Sequence, residues 1–106
     1  MSAYVLTEVT LLDEAAMARY GALAEASIAG YGGRYLARGG AVEALEGEWP
    51  PERRIVIVEF PTMARAREWY GSPEYAEALE VRASALTRRL ALVDGVDPEG
   101  GATGGA

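Results

Sequence analysis

The 106-residue sequence contains no cysteine, histidine, lysine, asparagine or glutamine, so all ten of its basic residues are arginine. Each absence removes a class of chemistry. Without cysteine there is no disulfide, thiol nucleophile, thiolate zinc site or iron–sulfur cluster. Without histidine there is no Ser-His-Asp triad, imidazole base or imidazole metal ligand. Without lysine there is no Schiff base and no P-loop lysine. Proton chemistry is left to Glu, Asp and Tyr, with Arg as a fixed cation. An all-carboxylate magnesium or calcium site remains open in principle, but the expectation is no metal and no cofactor. The formal net charge of −6 argues against nucleic acid as a partner, because phosphate binding needs a basic face. No stretch is long enough to span a membrane. The start, Met1-Ser2-Ala3-Tyr4-Val5, lacks the basic segment and apolar run of a signal peptide, so a cytoplasmic location is expected. With 50% hydrophobic and 25% charged residues, what is present is an ordinary globular chain of single-domain size.

Residues 3–11 are β-branched and aromatic with partial alternation, and predict a strand. Asp13 is placed to cap a helix over 13–29, in which Met17, Tyr20, Ala24 and Ile28 recur at helical spacing. Gly30 and the pair Gly32-Gly33 close it. Residues 33–38 predict a second strand, Gly39-Gly40 a turn, 41–46 a short strand or loop, and 47–51 a turn or loop. Arg54 to Phe60 is the clearest strand, its near-continuous apolar run fitting a central position. Thr62 caps a helix carrying Met63, Ala66, Trp69 and Tyr70 that stops at Gly71. Ser72-Pro73 restarts a helix whose buried face is Tyr75, Leu79, Ala83 and Leu86. Residues 88–96 predict the last strand. The Gly-rich run 97–106 cannot bury a core and is expected to be a disordered tail, leaving 1–96 as the domain.

The order β-α-β-(β)-β-α-α-β is the α+β, ferredoxin-like split βαβ pattern, one antiparallel sheet with helices on one face. On 54–60, Val56, Val58 and Phe60 share one face and Ile55, Ile57 and Glu59 the other. Both faces are apolar and both need cover. A homodimer with sheets packed face to face is therefore expected.

Several segments together carry a family likeness: Gly32-Gly33-Arg34-Tyr35-Leu36-Ala37-Arg38-Gly39-Gly40, Leu45-Glu46-Gly47, Trp49-Pro50, the strand Arg54 to Pro61, Trp69-Tyr70-Gly71-Ser72-Pro73-Glu74-Tyr75, and Arg82. Over about 3–96 the chain resembles the bacterial family known as domain of unknown function 1330, within the dimeric α/β-barrel superfamily. The resemblance implies a ferredoxin-like protomer and a barrel-like dimer. The superfamily includes cofactor-independent monooxygenases, isomerases, lyase-like and haem-linked enzymes and plain ligand binders, so the resemblance implies little about activity.

Among candidate site residues, Glu59 stands first: a carboxylate ending a very apolar strand, where burial would raise its pKa toward acid–base use; the alternative is a strand-end Glu that reaches water. Arg38 is its expected partner or the holder of an anionic substrate, against a structural salt bridge. Strict alternation groups Arg34, Leu36 and Arg38 on one face, with Tyr35 and Ala37 on the other. Glu8, on the strand expected beside 54–60, could pair with Glu59 as two carboxylates with separated pKa values, or sit solvated at an edge. Trp69, Tyr70, Tyr75 and Tyr35 are candidate walls of a substrate cavity, or simply core and interface aromatics. Arg82 is a candidate substrate contact, or a partner of Glu74 or Glu77. Ser72 has no base beside it and reads as a cap. The function expected from these residues is a small cofactor-independent enzyme transferring protons on a small organic molecule, isomerase- or cyclase-like, in a cavity between sheet and helices. Glu59 would be the acid–base, Arg38 would stabilise negative charge, and specialised metabolism is a plausible setting. The alternatives are a non-catalytic binding dimer and a cofactor-independent monooxygenase.

Overall fold

The computed structural model describes residues 2–96, and the expected tail at 97–106 lies outside them. The elements are β1 (Ala3–Leu11), α1 (Glu14–Gly30), β2 (Arg34–Arg38), β3 (Arg53–Phe60), α2 (Met63–Tyr70), α3 (Pro73–Ala85) and β4 (Leu86–Asp94). The strands form one sheet in the order β2-β3-β1-β4, every neighbour antiparallel. The architecture is the expected α+β ferredoxin-like one. The apolar run of β3 is central, between β2 and β1.

Local chemistry sets the helix limits. Asp13 Oδ2 accepts the Ala16 N–H at 2.7 Å, and Thr62 Oγ1 accepts the Arg65 N–H at 3.0 Å. Ser72 Oγ accepts the Tyr75 N–H at 3.1 Å and donates to the Trp69 carbonyl at 2.7 Å, joining the end of α2 to the start of α3. Such caps are worth about 1 kcal/mol each. Between α1 and β2, Gly32 adopts φ 79°. A Cβ on Gly33 would lie 2.7 Å from both Ile28 Cγ2 and Phe60 Cε1, so only glycine lets the chain pass there.

The core lies between the sheet and the helices. Ala3, Val5 and Val9 of β1 and Val58 and Phe60 of β3 are buried against Tyr20, Ala24 and Ile28 of α1 and Trp69, Tyr75 and Ala78 of α2 and α3. Trp69 stacks on Tyr75 with ring centroids 4.2 Å apart and on Phe60 at 5.2 Å.

Of the two readings open for residues 41–46, the chain takes the loop. Three local readings are corrected. Ala83, expected on the buried face of α3, is exposed, and Ala78 and Ala85 are buried in its place. Strand β4 starts at Leu86 rather than at 88. Leu86 belongs to the strand and not to the helix face: its backbone is extended, its N–H still bonds the Arg82 carbonyl, and it pairs with Leu11. The third correction matters most. A β-bulge interrupts β2, because Arg34 and Tyr35 oppose Glu59 and Val58 while Ala37 and Arg38 oppose Ile57 and Val56, leaving Leu36 unpaired. One extra residue reverses the facing of everything beyond it. Arg38 therefore shares the helix-facing side with Tyr35, not the other side with Arg34.

The opposite face of the sheet carries Leu6, Leu36, Ile55, Ile57, Ala91 and Val93. Leu6, Leu36 and Val93 are between 41% and 49% exposed.

Candidate functional site

Between α1 and the sheet lies a cavity of about 70 Å³, room for roughly five waters or one six-membered ring. Its walls are mostly apolar: Val5, Val9, Ile28, Val56, Val58 and Leu90, closed at one side by Trp69. Five polar side chains also line it: Thr7, Tyr20, Tyr35, Arg38 and Arg88. No Asp or Glu side chain lines it among the described residues.

A three-residue cluster is built from distant parts of the chain. Arg88, third residue of β4, donates through Nη1 to the hydroxyls of Tyr20 on α1 and Tyr75 on α3, both at 2.7 Å. Those hydroxyls are 2.6 Å from each other. Each element supplies its member for a local reason. Tyr20 is on the buried stripe of α1. Tyr75 follows the Ser72-Pro73 helix start. Arg88 alternates with Leu86 and Leu90 on the helix-facing side of β4. Burial pushes the Tyr75 hydroxyl well above its usual pKa, and its tyrosine neighbour adds to this against the opposing charge of Arg88. The group is thus a proton donor, not a base, at neutral pH. Burial also raises Tyr35, against the nearby charge of Arg38. Arg38 lies over the Tyr35 ring at 4.2 Å and bonds Glu25 at 3.0 Å, forming a polar rim to the cavity. The Trp69 indole N–H is satisfied by Ser27 Oγ at 3.0 Å, leaving its ring as an apolar wall.

The acidic residues selected from sequence lie on the other face of the sheet. Glu59 accepts from Arg34 Nε at 2.7 Å, its side chain 18% exposed. That bond holds its carboxyl below the usual glutamate range, the opposite direction to the one an acid–base role needs. The expected Arg38–Glu59 pair does not form, because the bulge places the two side chains on opposite faces. Glu8 is bound by Arg89 at 2.6 Å and Arg53 at 3.2 Å, chiefly through Arg89 lowered in pKa. Glu59 pairs with Tyr4 and Glu8 with Ile55, so the two carboxylates sit four residues apart along β1. At about 3.3 Å per residue that is about 13 Å, too far for a shared proton. Among the described residues no group of three Asp or Glu side chains converges to hold a metal ion.

Of the selected set the structure brings Arg38, Tyr35 and Trp69 to the cavity, with Tyr75 buried against Trp69, and separates them from Glu59 and Glu8. Tyr70 is exposed and, with Arg82, lines a different groove. No ion pair joins Arg82 to Glu74 or Glu77; Glu74 instead accepts from Tyr31. Sequence reasoning missed Arg88 and Thr7 and took Tyr20 only as a core residue. A signal for Arg88 was present: a charged residue at the centre of the Leu86-x-Arg88-x-Leu90 alternation.

No curated protein matches the chain. A solved protein of unknown function from Rhodopseudomonas palustris is 24% identical, with TM-score 0.72, over 92% of this chain and 84% of that one. SnoaB, a cofactor-independent oxygenase from Streptomyces nogalater, is 12% identical with TM-score 0.65, over 93% and 97%. A dimeric protein of unknown function with a ferredoxin-like fold, from Bacteroides fragilis, is 13% identical with TM-score 0.51, over 89% and 96%. At these identities the likeness is one of fold. Residues 2–96, the whole of the described structure, match the family described as domain of unknown function DUF1330, and the chain belongs to that family.

Proposed function

We propose that this protein is a small cofactor-independent enzyme that binds a single-ring, mostly apolar molecule in the helix–sheet cavity and stabilises its anion. The observation that carries this reading is the Arg88–Tyr20–Tyr75 cluster: Arg88 and Tyr20 line an apolar cavity that no carboxylate of the described residues reaches, and Tyr75, buried behind them, bonds both. Such a site favours developing negative charge on a substrate oxygen, because preorganised donors act strongly where water is excluded. With no carboxylate of the described residues lining the cavity, the substrate's own acidity has to do part of the work. Enols, phenols and activated carbon acids are the fitting class. The cation lowers their pKa, solvent water takes the proton that the substrate releases, and Arg88 and Tyr20 hold the resulting oxyanion by hydrogen bonds. Reprotonation at carbon gives isomerisation with no further reactant. Arg38 and Tyr35 form the rim that orients the ligand. The open face of the sheet, with its exposed Leu6, Leu36 and Val93, pairs with a second copy in this reading. A dimeric protein among the structural neighbours supports that arrangement.

A second reading has its own support. A cofactor-independent oxygenase shares the fold, and the same anion, formed in the cavity, is the electron-rich species that reacts with dioxygen. The test is a panel of single-ring enolisable ketones and phenols, read by deuterium exchange at carbon and by oxygen uptake. The expected result is turnover that Arg88→Met abolishes and Glu59→Gln leaves within twofold. Turnover that follows Glu59 and ignores Arg88 overturns the reading. Oxygen uptake that tracks substrate selects the second one.

A further inference from the structure

On the other side of Arg88, α3 and β4 enclose an open groove lined by Tyr70, Leu79, Arg82, Arg88, Leu90 and Leu92. We propose that this groove is a separate binding site for an organic carboxylate with an aliphatic body, its carboxylate held by Arg82 and Arg88 and its chain lying on the three leucines. The argument begins with how the arginines are used. Arg34, Arg38, Arg53, Arg65 and Arg89 each have a carboxylate partner. Of the other five, Arg19, Arg54 and Arg67 are exposed, and exposed guanidiniums are well served by water. Arg82 and Arg88 are half-buried, have no carboxylate partner among the described residues, and line the same groove. Acid is not scarce in a chain of net charge −6. The sequence keeps it away from this spot. Helical neighbours of Arg82 three and four residues away are Ala78, Leu79 and Ala85, and the strand partner of Arg88 is Val9.

The hydrogen bonding of Arg88 points the same way. Its Nη1 is taken by the two tyrosine hydroxyls, while no bond occupies its Nε or Nη2 among the described residues. No buried side-chain nitrogen or oxygen there lacks a partner, so that edge is reached by solvent. The Nε–Nη2 edge of a guanidinium is a fork matched to the two oxygens of a carboxylate. The tyrosines fix its orientation, so little rotamer entropy is lost on binding. The leucines beside it make the preferred ligand amphiphilic rather than a bare anion. The groove shares Arg88 and Leu90 with the cavity, but Arg82 and Leu79 line the groove alone, so changes at Arg82 test it apart from the cavity reading.

The test titrates full-length protein with hexanoate, acetate and hexanol while following backbone amide shifts. Hexanoate is expected to saturate shifts at residues 79–82 and 88–92. Acetate and hexanol should each bind at least tenfold more weakly. Arg82→Met, which keeps the apolar stem, should weaken hexanoate at least fivefold, and Arg82→Lys should recover part of the loss. Hexanol binding as well as hexanoate, or Arg82→Met binding as well as the native chain, overturns the proposal. Hexanoate shifts confined to Thr7, Ala24 and Val58 overturn it too, while favouring the cavity as the ligand site. Absence of turnover by the native protein across the single-ring panel, with hexanoate binding intact, tells against the cavity reading alone.

Discussion

Replacing Tyr75 by Phe tests the Arg88–Tyr20–Tyr75 cluster beside the cavity. The ring is fully buried and Phe keeps its packing against Trp69, so the change isolates the hydroxyl. That oxygen makes two of the three bonds in the cluster, to Tyr20 at 2.6 Å and to Arg88 at 2.7 Å. A neutral buried bond contributes about 0.5–1.5 kcal/mol and one to a charged group about 1.5–3 kcal/mol. Arg88 keeps Tyr20 and borders the cavity and the groove, so no charge is left without a partner. The expected loss is therefore about 2–3 kcal/mol, and Tyr20→Phe, which also removes two of the three bonds, should cost a similar amount. The double variant removes three bonds, not four. It should lose less than the sum of the single changes, by about the 1 kcal/mol of the shared tyrosine–tyrosine bond. Urea denaturation at one fixed protein concentration measures all three, the fixed concentration guarding against any shift from self-association. Effects that add within about 0.3–0.5 kcal/mol would show that the two hydroxyls do not act as a unit and would refute the reasoning.

Other outcomes follow from the same geometry. Tyr75 and Tyr35, raised by burial, and Tyr31, raised chiefly by its bond to Glu74, keep their protons longer when folded than when unfolded. Their contribution is whole below the unfolded tyrosine pKa of about 10 and is lost as pH rises beyond it, so thermal melts should fall above pH 10 and fall less in Tyr75→Phe. Glu8 and Glu59 are held low by arginines, so their contribution is present above about pH 4.3 and lost as pH falls through their folded values; Glu8→Gln should flatten the acid limb of the stability curve. Gly33→Ala would drive a methyl to 2.7 Å from Ile28 and Phe60 and should cost about 1–3 kcal/mol, seen as a lower melting temperature with unchanged secondary structure. Glu59→Gln should leave the affinity of any cavity ligand within twofold, because the side chain is on the opposite face of the sheet.

Much of the architecture is local information, and local information is readable in sequence. Asp13, Thr62 and Ser72 announce helix starts because a short polar side chain there satisfies an otherwise unpaired backbone N–H. The run from Ile55 to Phe60 announces a central strand because only a strand covered on both sides tolerates so little polarity. Those signals, with the element order, determined the ferredoxin-like fold, and the quoted motifs determined the family. The site was decided by tertiary structure. The extra residue in β2 is set by register against β3, which alternation along β2 alone cannot reveal, and it put Arg38 on the cavity side, away from Glu59. The apolar setting that made Glu59 look like a buried acid is real, but Arg34, its cross-strand neighbour, meets it on the open face. Tyr20, Tyr75 and Arg88 lie 55 and 68 positions apart where they meet, and nothing in the spacing of any one segment foretells that contact. Strand order and helix packing, which form only when the whole core closes, bring one guanidinium to two phenols and give the cavity its chemistry.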